Sequence, residues 1–441
     1  MKTSALLLVM IVIVKAPAAE IPVQPAPGTN HVLITPAYLN ALADTMRTNH
    51  PALNAAQSMI ISARANVDAV RTWEDPMVQL GGMGARTDMR MEDGDLIYGV
   101  EQKLPLFGKP RLARTVAESE LSTEKVSLEY RFQLLRRDLA KAVFRAGLAD
   151  RVVAIGEQDL TWLDTFVTVV EQRYRAGQAS QVDLLRVQNE RAKRIDQLVT
   201  DKHLRAHEHL TLNRMLQRDL QARWPTFELP KLARPISFNQ RLIDLALKHE
   251  PKAKVLRQQI RQAEATAEWT RRQRWPDLSV GLEGRNYSGD GSFRQGALML
   301  SFNVPLGNAA KYRSDLRREK AKVDAAEHEL QDYQQSVIEE IHHLTVRIDA
   351  ARREGSLYEN EILPRAELAL TSARAAWESG RGMFLDLLEA RRMLLEAQLM
   401  QAKAVAEQYE MLSELVLCCG LGDLEALLML GIIEDAPDTK Q

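Results

Sequence analysis

The sequence predicts a mainly α-helical protein with a small β part, built from a helix–hairpin–long helix–return helix unit that occurs twice. Three observations carry that prediction. Residues 76–105 and 276–305 alternate apolar and polar side chains, the period of two that marks a strand with two chemically different faces. The stretches between them place apolar residues at helical spacing. The pattern also returns at one offset: Pro51 and Pro251, Pro76 and Pro276, Pro105 and Pro305, Gly81 and Gly281, and Gly84 and Gly284 all lie 200 apart. A repeat of that length is a duplicated supersecondary assembly, too long for a solenoid unit.

Composition narrows the class. The 441 residues are 45% hydrophobic and 27% charged, with a net charge of −1, so there is no basic footprint and nucleic acid is not an expected partner. Aromatics are only 5%, and Leu, Ala, Glu, Arg and Gln dominate the middle stretches, as in long helices and coiled coils. The two cysteines, Cys418 and Cys419, are neighbours and imply no disulfide framework. They read as small buried residues at a helix end.

Residues 1–19 read as a secretory signal peptide: Lys2, an apolar run over 5–14, then Ala16-Pro17-Ala18-Ala19. The apolar run is shorter than the roughly 20 residues a spanning helix needs. No cysteine follows it to carry a lipid anchor, and no later stretch offers 18 uninterrupted apolar residues. Membrane insertion of the processed chain would therefore have to use strands.

Residues 20–34 form a Pro-rich, extended arm, and repeat one follows over 35–216. Thr35-Pro36 is a helix start, an N-cap followed by proline, for a helix to about Asn49. Pro51 starts the next, through Ala56, Ile60, Ala63, Val67 and Val70 to about Trp73. Strands are expected at about 77–85 and 96–104, around a tip at 86–95. After a turn over 106–110, Leu128, Phe132, Leu135, Leu139 and Ala142 step by 4, 3, 4, 3, a heptad seam. This helix should reach about Tyr174, some 65 residues or about 100 Å, with Gly147 and Gly156 expected to bend it. Gly177-Gln178-Ala179-Ser180 breaks it, and a return helix runs to about Leu216.

Residues 217–236, with Pro225, Pro230 and Pro235, link the repeats. Repeat two covers 237–418. Ser237-Phe238-Asn239-Gln240 resembles a capping box at its start. Helices to about Arg274 and strands at about 277–285 and 296–304 follow, around a tip at 286–292. The second long helix spans about 311–377, with a kink expected at Pro364. Gly380-Arg381-Gly382 breaks it before a return helix to about Leu417, and residues 419–441 form a tail.

Four strands cannot close a barrel, and an open sheet edge cannot sit in lipid. Three copies would supply twelve strands, an even number within the range of outer-membrane barrels. Leu278, Val280, Leu282, Leu298, Leu300, Phe302 and Val304 would then face lipid, and Ser279, Gly281, Glu283, Ser301 and Asn303 water. The long helices would project from the membrane as a tube of coiled-coil pairs.

At these residues the chain resembles the TolC-like outer-membrane efflux proteins, over nearly its whole mature length. The likeness rests on the duplication and on several local motifs. These are Asn49-His50-Pro51, Pro76-x4-Gly81 and Pro276-x4-Gly281, Leu104-Pro105-Leu106-Phe107-Gly108-Lys109, and Leu363-Pro364-Arg365-Ala366. Tyr174-x2-Gly177-x5-Asp183-Leu184-Leu185 and its second copy Trp377-x2-Gly380-x5-Asp386-Leu387-Leu388-Glu389-Ala390 complete the set. The resemblance implies a homotrimer with a twelve-strand outer-membrane β-barrel continued by a long periplasmic α-helical barrel. It implies docking to a periplasmic adaptor (membrane fusion) protein and an inner-membrane resistance-nodulation-division pump. It further implies a passive duct in a Gram-negative outer membrane, with no catalysis and no cofactor. The Leu-Pro-Leu-Phe-Gly-Lys wording is similar to the heavy-metal-exporting branch of the family.

The turns at Gly177 and Gly380 would form the periplasmic tip, which gates in the family. Asp386 and Glu389 share a helix face, and threefold symmetry would turn each into a carboxylate ring favouring cations. Repeat one carries Asp183 but Arg186 at the corresponding sites. Tyr174 and Arg381, near the turns, are candidates for bonds that hold the tip shut. Asp183 and Asp386 also suit a plainer role, as acids at a helix N-terminus. His342-His343 and Met77, Met83, Met89 and Met91 read more simply as structural residues than as metal ligands.

Two other readings use the same sequence. The duct could carry organic compounds or serve type I protein secretion. A periplasmic coiled-coil scaffold without a pore would account for the heptads but not for two matched, two-faced hairpins. No nucleophile–base pair, phosphate loop or metal-ligand spacing points to an enzyme.

Overall fold

The computed structural model describes residues 31–70, 73–83, 95–287, 291–303 and 305–434. The expected signal peptide, the arm before His31, Met89 and Met91, the first hairpin tip, part of the second and the chain's last residues lie outside them.

Each repeat opens with two helices fixed by their caps. In α1 (Pro36–Asn49), Thr35 Oγ1 accepts the Tyr38 N–H at 3.2 Å, with proline as the first residue. Helix α2 (Pro51–Ala69) stops short of the expected Trp73. Their counterparts are α5 (Gln240–His249) and α6 (Pro251–Arg272). The α5 cap is Asn239, whose side chain accepts the Leu242 N–H at 2.9 Å; Ser237 lies outside the helix.

The long helices follow. Helix α3 (Lys109–Arg175) runs 67 residues without interruption. The bend expected at Gly147 is not a helix break. A Cβ there would come within 2.9 Å of Ile34 Cδ1 and 3.1 Å of Leu229 Cδ2, so the glycine serves close approach of another segment. That segment is a parallel pair, β1 (His31–Leu33) with β4 (Thr226–Glu228). The inter-repeat link is thus packed rather than loose. Gln408 clasps the Ala233 backbone, donating to its carbonyl at 3.0 Å and accepting from its N–H at 2.9 Å.

Helix α4 (Gln181–Met215) returns from α3. In repeat two, α7 (Ala309–Leu357) passes through one π turn, Tyr358–Ile362, into α8 (Leu363–Glu378). Pro364 cannot donate a backbone hydrogen bond, and the widened turn just before it accommodates the loss while the rod continues. Helix α9 (Phe384–Cys418) returns. The apolar run of the tail forms a further helix, α10 (Leu424–Glu434), which buries Leu424 and Leu427 in the main core. That core joins α1, α3, α4, α7 and α9 through Leu42, Met46, Leu139, Phe144, Leu212, Ile341, Ile348 and Leu412. Cys418 and Cys419 are unbonded, and burial, first of all, pushes both thiols above their ordinary range.

The four strands β2 (Met77–Met83), β3 (Asp95–Leu104), β5 (Leu278–Tyr287) and β6 (Phe293–Phe302) form one antiparallel sheet in that order. In repeat two the strands reach nearer the tip than expected and end earlier, so Asn286 and Tyr287 belong to β5. The two hairpins pair through β3 and β5, with Val100 opposite Leu282 and Glu101 opposite Gly281. Register therefore puts Val78, Leu80, Tyr98, Val100, Leu282, Leu298 and Leu300 on one face. All but one of these are roughly half exposed or more, with Leu80 at 79% and Leu298 at 69%. The opposite face is polar: Ser301 Oγ donates to Glu101 at 2.7 Å, and Arg285 pairs with Glu283 at 3.0 Å. Strands β2 and β6 are the unpaired edges. Among the described residues no helix is long and apolar enough to cross a membrane.

Candidate gate at the helical tip

At the end of the rod away from the sheet, two helical hairpins meet, α3–α4 and α8–α9. Both turns use a glycine at φ +72°, Gly177 and Gly380, a left-handed conformation that side chains disfavour. Their N–H groups bond back to the Tyr174 and Trp377 carbonyls at 3.0 and 3.1 Å. Ser180 caps α4, accepting the Asp183 N–H at 3.1 Å and donating to its carboxylate at 2.7 Å. The second turn differs, because Met383 occupies the cap position and offers no side-chain bond.

An apolar cluster glues the hairpins together. Leu163, Phe166 and Val170 of α3 and Val187 of α4 pack against Trp377, Phe384, Leu387 and Leu388. Phe166, Trp377 and Phe384 form a chain of rings with 5.6 Å between successive centroids.

The expected gate residues stay within their own hairpins. Asp183 lies 3.7 Å from Arg186 on the same helix. Glu389 accepts from Arg392 one turn on, at 2.7 Å. Arg381 donates to Ser379 at 3.2 Å. Tyr174 is exposed, and Asp386 is exposed without a side-chain partner among the described residues. Asp386 and Glu389 both lie on the exposed side of α9, opposite buried Leu387 and Leu388.

Other residues tie the hairpins. Arg173 donates to the Trp377 and Glu378 carbonyls, both at 3.2 Å, with its guanidinium 4.1 Å from the Trp377 ring centre. It thereby caps the C-terminus of α8 from the other repeat. About three helical turns below Val170, Asp159 is nearly fully buried and takes Arg194 of α4 and Arg391 of α9, each at 2.8 Å. Glu190 takes Arg392 at 2.6 Å and Lys193 at 3.3 Å. Burial alone would raise the Glu190 pKa, but the Arg392 hydrogen bond and charge, with Lys193, outweigh it and hold the carboxyl below the ordinary glutamate range. One signal for these ties was present in the sequence: Asp159, Leu163, Phe166 and Val170 step by 4, 3, 4, so a carboxylate sits on an apolar seam.

The depressed Glu190 value fixes a sign. Its tie is complete at neutral pH and is lost as pH falls through the folded-state value. The wild-type melting temperature should exceed that of Glu190→Gln at neutral pH, and the gap should close only as pH falls below the ordinary carboxylate range. A gap of constant size across that range would show that Glu190 is not held ionically.

A duplicated rod of paired helices, capped at one end by a two-faced four-stranded sheet and at the other by charged turns, is the build of an efflux-duct subunit. The chain belongs to the outer membrane efflux protein family, whose model matches residues 42–217 and again 242–421, once per repeat. Among solved structures, that of CusC superposes with a TM-score of 0.76 at 16% identity, covering 92% of this chain and 100% of that one. The outer membrane protein VceC of Vibrio cholerae gives 0.72 at 18% identity, covering 88% and 97%. In sequence, the chain is similar to the cobalt-zinc-cadmium resistance protein CzcC of Cupriavidus metallidurans, 21% identical over 169 residues. That match spans 38% of this chain and 40% of the relative's length.

Proposed function

We propose that three copies of this chain join β6 of one to β2 of the next, closing a twelve-strand outer-membrane barrel over a helical periplasmic duct. The single observation that carries this reading is the sheet. It has two open edges and an apolar face of lipid-crossing length backed by a polar one, and edge-to-edge closure satisfies both features. Strand alternation is preserved across the seam, since β2 and β6 run in opposite directions.

The duct conducts passively and uses no cofactor. Its tip meets a periplasmic adaptor and an inner-membrane resistance-nodulation-division pump, which select the cargo. We assign heavy-metal cations as that cargo. Support comes from the partial likeness to a cobalt-zinc-cadmium resistance protein and from Asp386 and Glu389, which symmetry turns into carboxylate rings that favour cations. The metal is cargo in transit: among the described residues no group of three or more metal-binding side chains is assembled.

Single-channel recording of detergent-purified protein in planar bilayers tests both parts. Wild type should give small, cation-selective steps, and Asp386→Ala/Glu389→Ala larger, less selective ones. Unchanged steps would sink the gate assignment, and a protein soluble without detergent would sink the duct. For the cargo, a strain lacking the chain should become more sensitive to cobalt, zinc or cadmium; sensitivity gained only toward organic toxicants would move the cargo away from metals.

A further inference from the structure

The foot of the sheet, where the strands hand over to the long helices, carries an exposed patch of unusual make-up. Leu106, Phe107 and Trp275 are each about two-fifths exposed, and the Phe107 and Trp275 rings stack at 5.2 Å. Phe107 holds φ +56°, a left-handed conformation that bulky residues seldom adopt. Such strain persists where the surroundings dictate it, and it tends to mark surfaces with a task. Here it keeps an apolar ring in the open.

Charge around the rings is lopsided. Lys103 and Lys109 are neutralised by Glu74 and Asp277, both at 2.8 Å. Arg111 and Arg274 are exposed, and neither has a carboxylate within 4.0 Å among the described residues. Arg274 lies 5.9 Å from the Trp275 ring centre. Helix α3 has no acid in its first turn, where one would ordinarily be favoured. The patch sits at the foot of the two central strands, β3 and β5, away from the edges that neighbouring copies would cover.

Building on the duct reading, we propose that this rim binds the headgroups of anionic phospholipids in the inner leaflet of the outer membrane. Exposed aromatics at the border of an apolar band match the interfacial level of a bilayer, where one end of a ring is dry and the other wet. Each of the two guanidinium groups, Arg111 just past β3 and Arg274 just before β5, has no ion-pair partner among the described residues and can donate to a phosphate, a role Arg suits. Threefold symmetry repeats the patch around the barrel. A zwitterionic lipid would satisfy the rings but leave the arginines without a net counter-charge.

Tryptophan fluorescence of the protein reconstituted in vesicles reads this directly, because brominated lipids quench rings they touch. In phosphatidylcholine vesicles doped with brominated phosphatidylglycerol, half-quenching should come at a several-fold lower mole fraction than in the reverse mixture. The preference should shrink as salt is raised. Arg111→Gln/Arg274→Gln should abolish it, whereas Arg111→Lys/Arg274→Lys, with the same charge, should retain most of it and show that the rim still folds. Equal quenching by both lipids, or a preference that survives in the glutamine variant, overturns the rim site and leaves the duct standing. Absence of quenching by either lipid means the sheet is not in the bilayer, and overturns the duct reading with it.

Discussion

Asp159→Ala is expected to loosen the tip more than any other single substitution there. The carboxylate sits between two guanidinium groups, from Arg194 and Arg391, whose side chains are about 15% exposed. Removing it leaves two mostly buried positive charges facing each other. Breaking a buried pair in this way typically costs about 3–5 kcal/mol, because the remaining charge is stranded. It also cuts a tie between α3–α4 and α8–α9. The expected readout is wider conductance steps together with proteolysis at residues 176–183 or 379–386. Arg391→Gln should do much less. Asp159 then keeps Arg194, so its buried charge stays paired and only the link to α9 is lost. Equal effects from the two variants would refute the idea that Asp159 is shared between hairpins.

That asymmetry was not legible in the sequence, and the reason is distance along the chain. Glu190 and Arg392 lie 202 residues apart, and Asp159 and Arg391 lie 232 apart. Local spacing identifies which face a residue occupies, but not which distant face it meets. The six expected gate residues were chosen from the turns, and all of them carry exposed side chains there or pair within their own hairpin; Asp183 is also bound by its own cap. Period-based features fared better. Heptads marked the long helices because their seams bury one stripe, and alternation marked the strands because their two faces meet different solvents. The β1–β4 pair has three residues per strand within Pro-rich segments, too few to show a period. Helix α10 lacks a polar face, so its apolar run had no periodic signature.

Leu298→Arg tests the other end of the molecule and should prevent assembly. Leu298 is the sixth residue of β6, near the middle of the strand, and stands opposite Leu282 on the exposed apolar face. An arginine on the lipid side near a bilayer midplane costs about 2–4 kcal/mol. A trimer incurs that three times, a total comparable with the whole stability of an ordinary domain. Neighbouring Ala297 points the other way, opposite Glu283, so Ala297→Arg puts the same charge on the polar face beside a carboxylate. The expected result is loss of detergent-extracted trimer from the outer-membrane fraction for Leu298→Arg, and near-normal yield for Ala297→Arg. The two substitutions are adjacent in sequence and alike in chemistry, so strand propensity and expression cannot separate them; only the medium each face meets can. If both are tolerated, the apolar face does not contact lipid. If both fail, the polar face is packed rather than open to water, and the sheet does not enclose a duct.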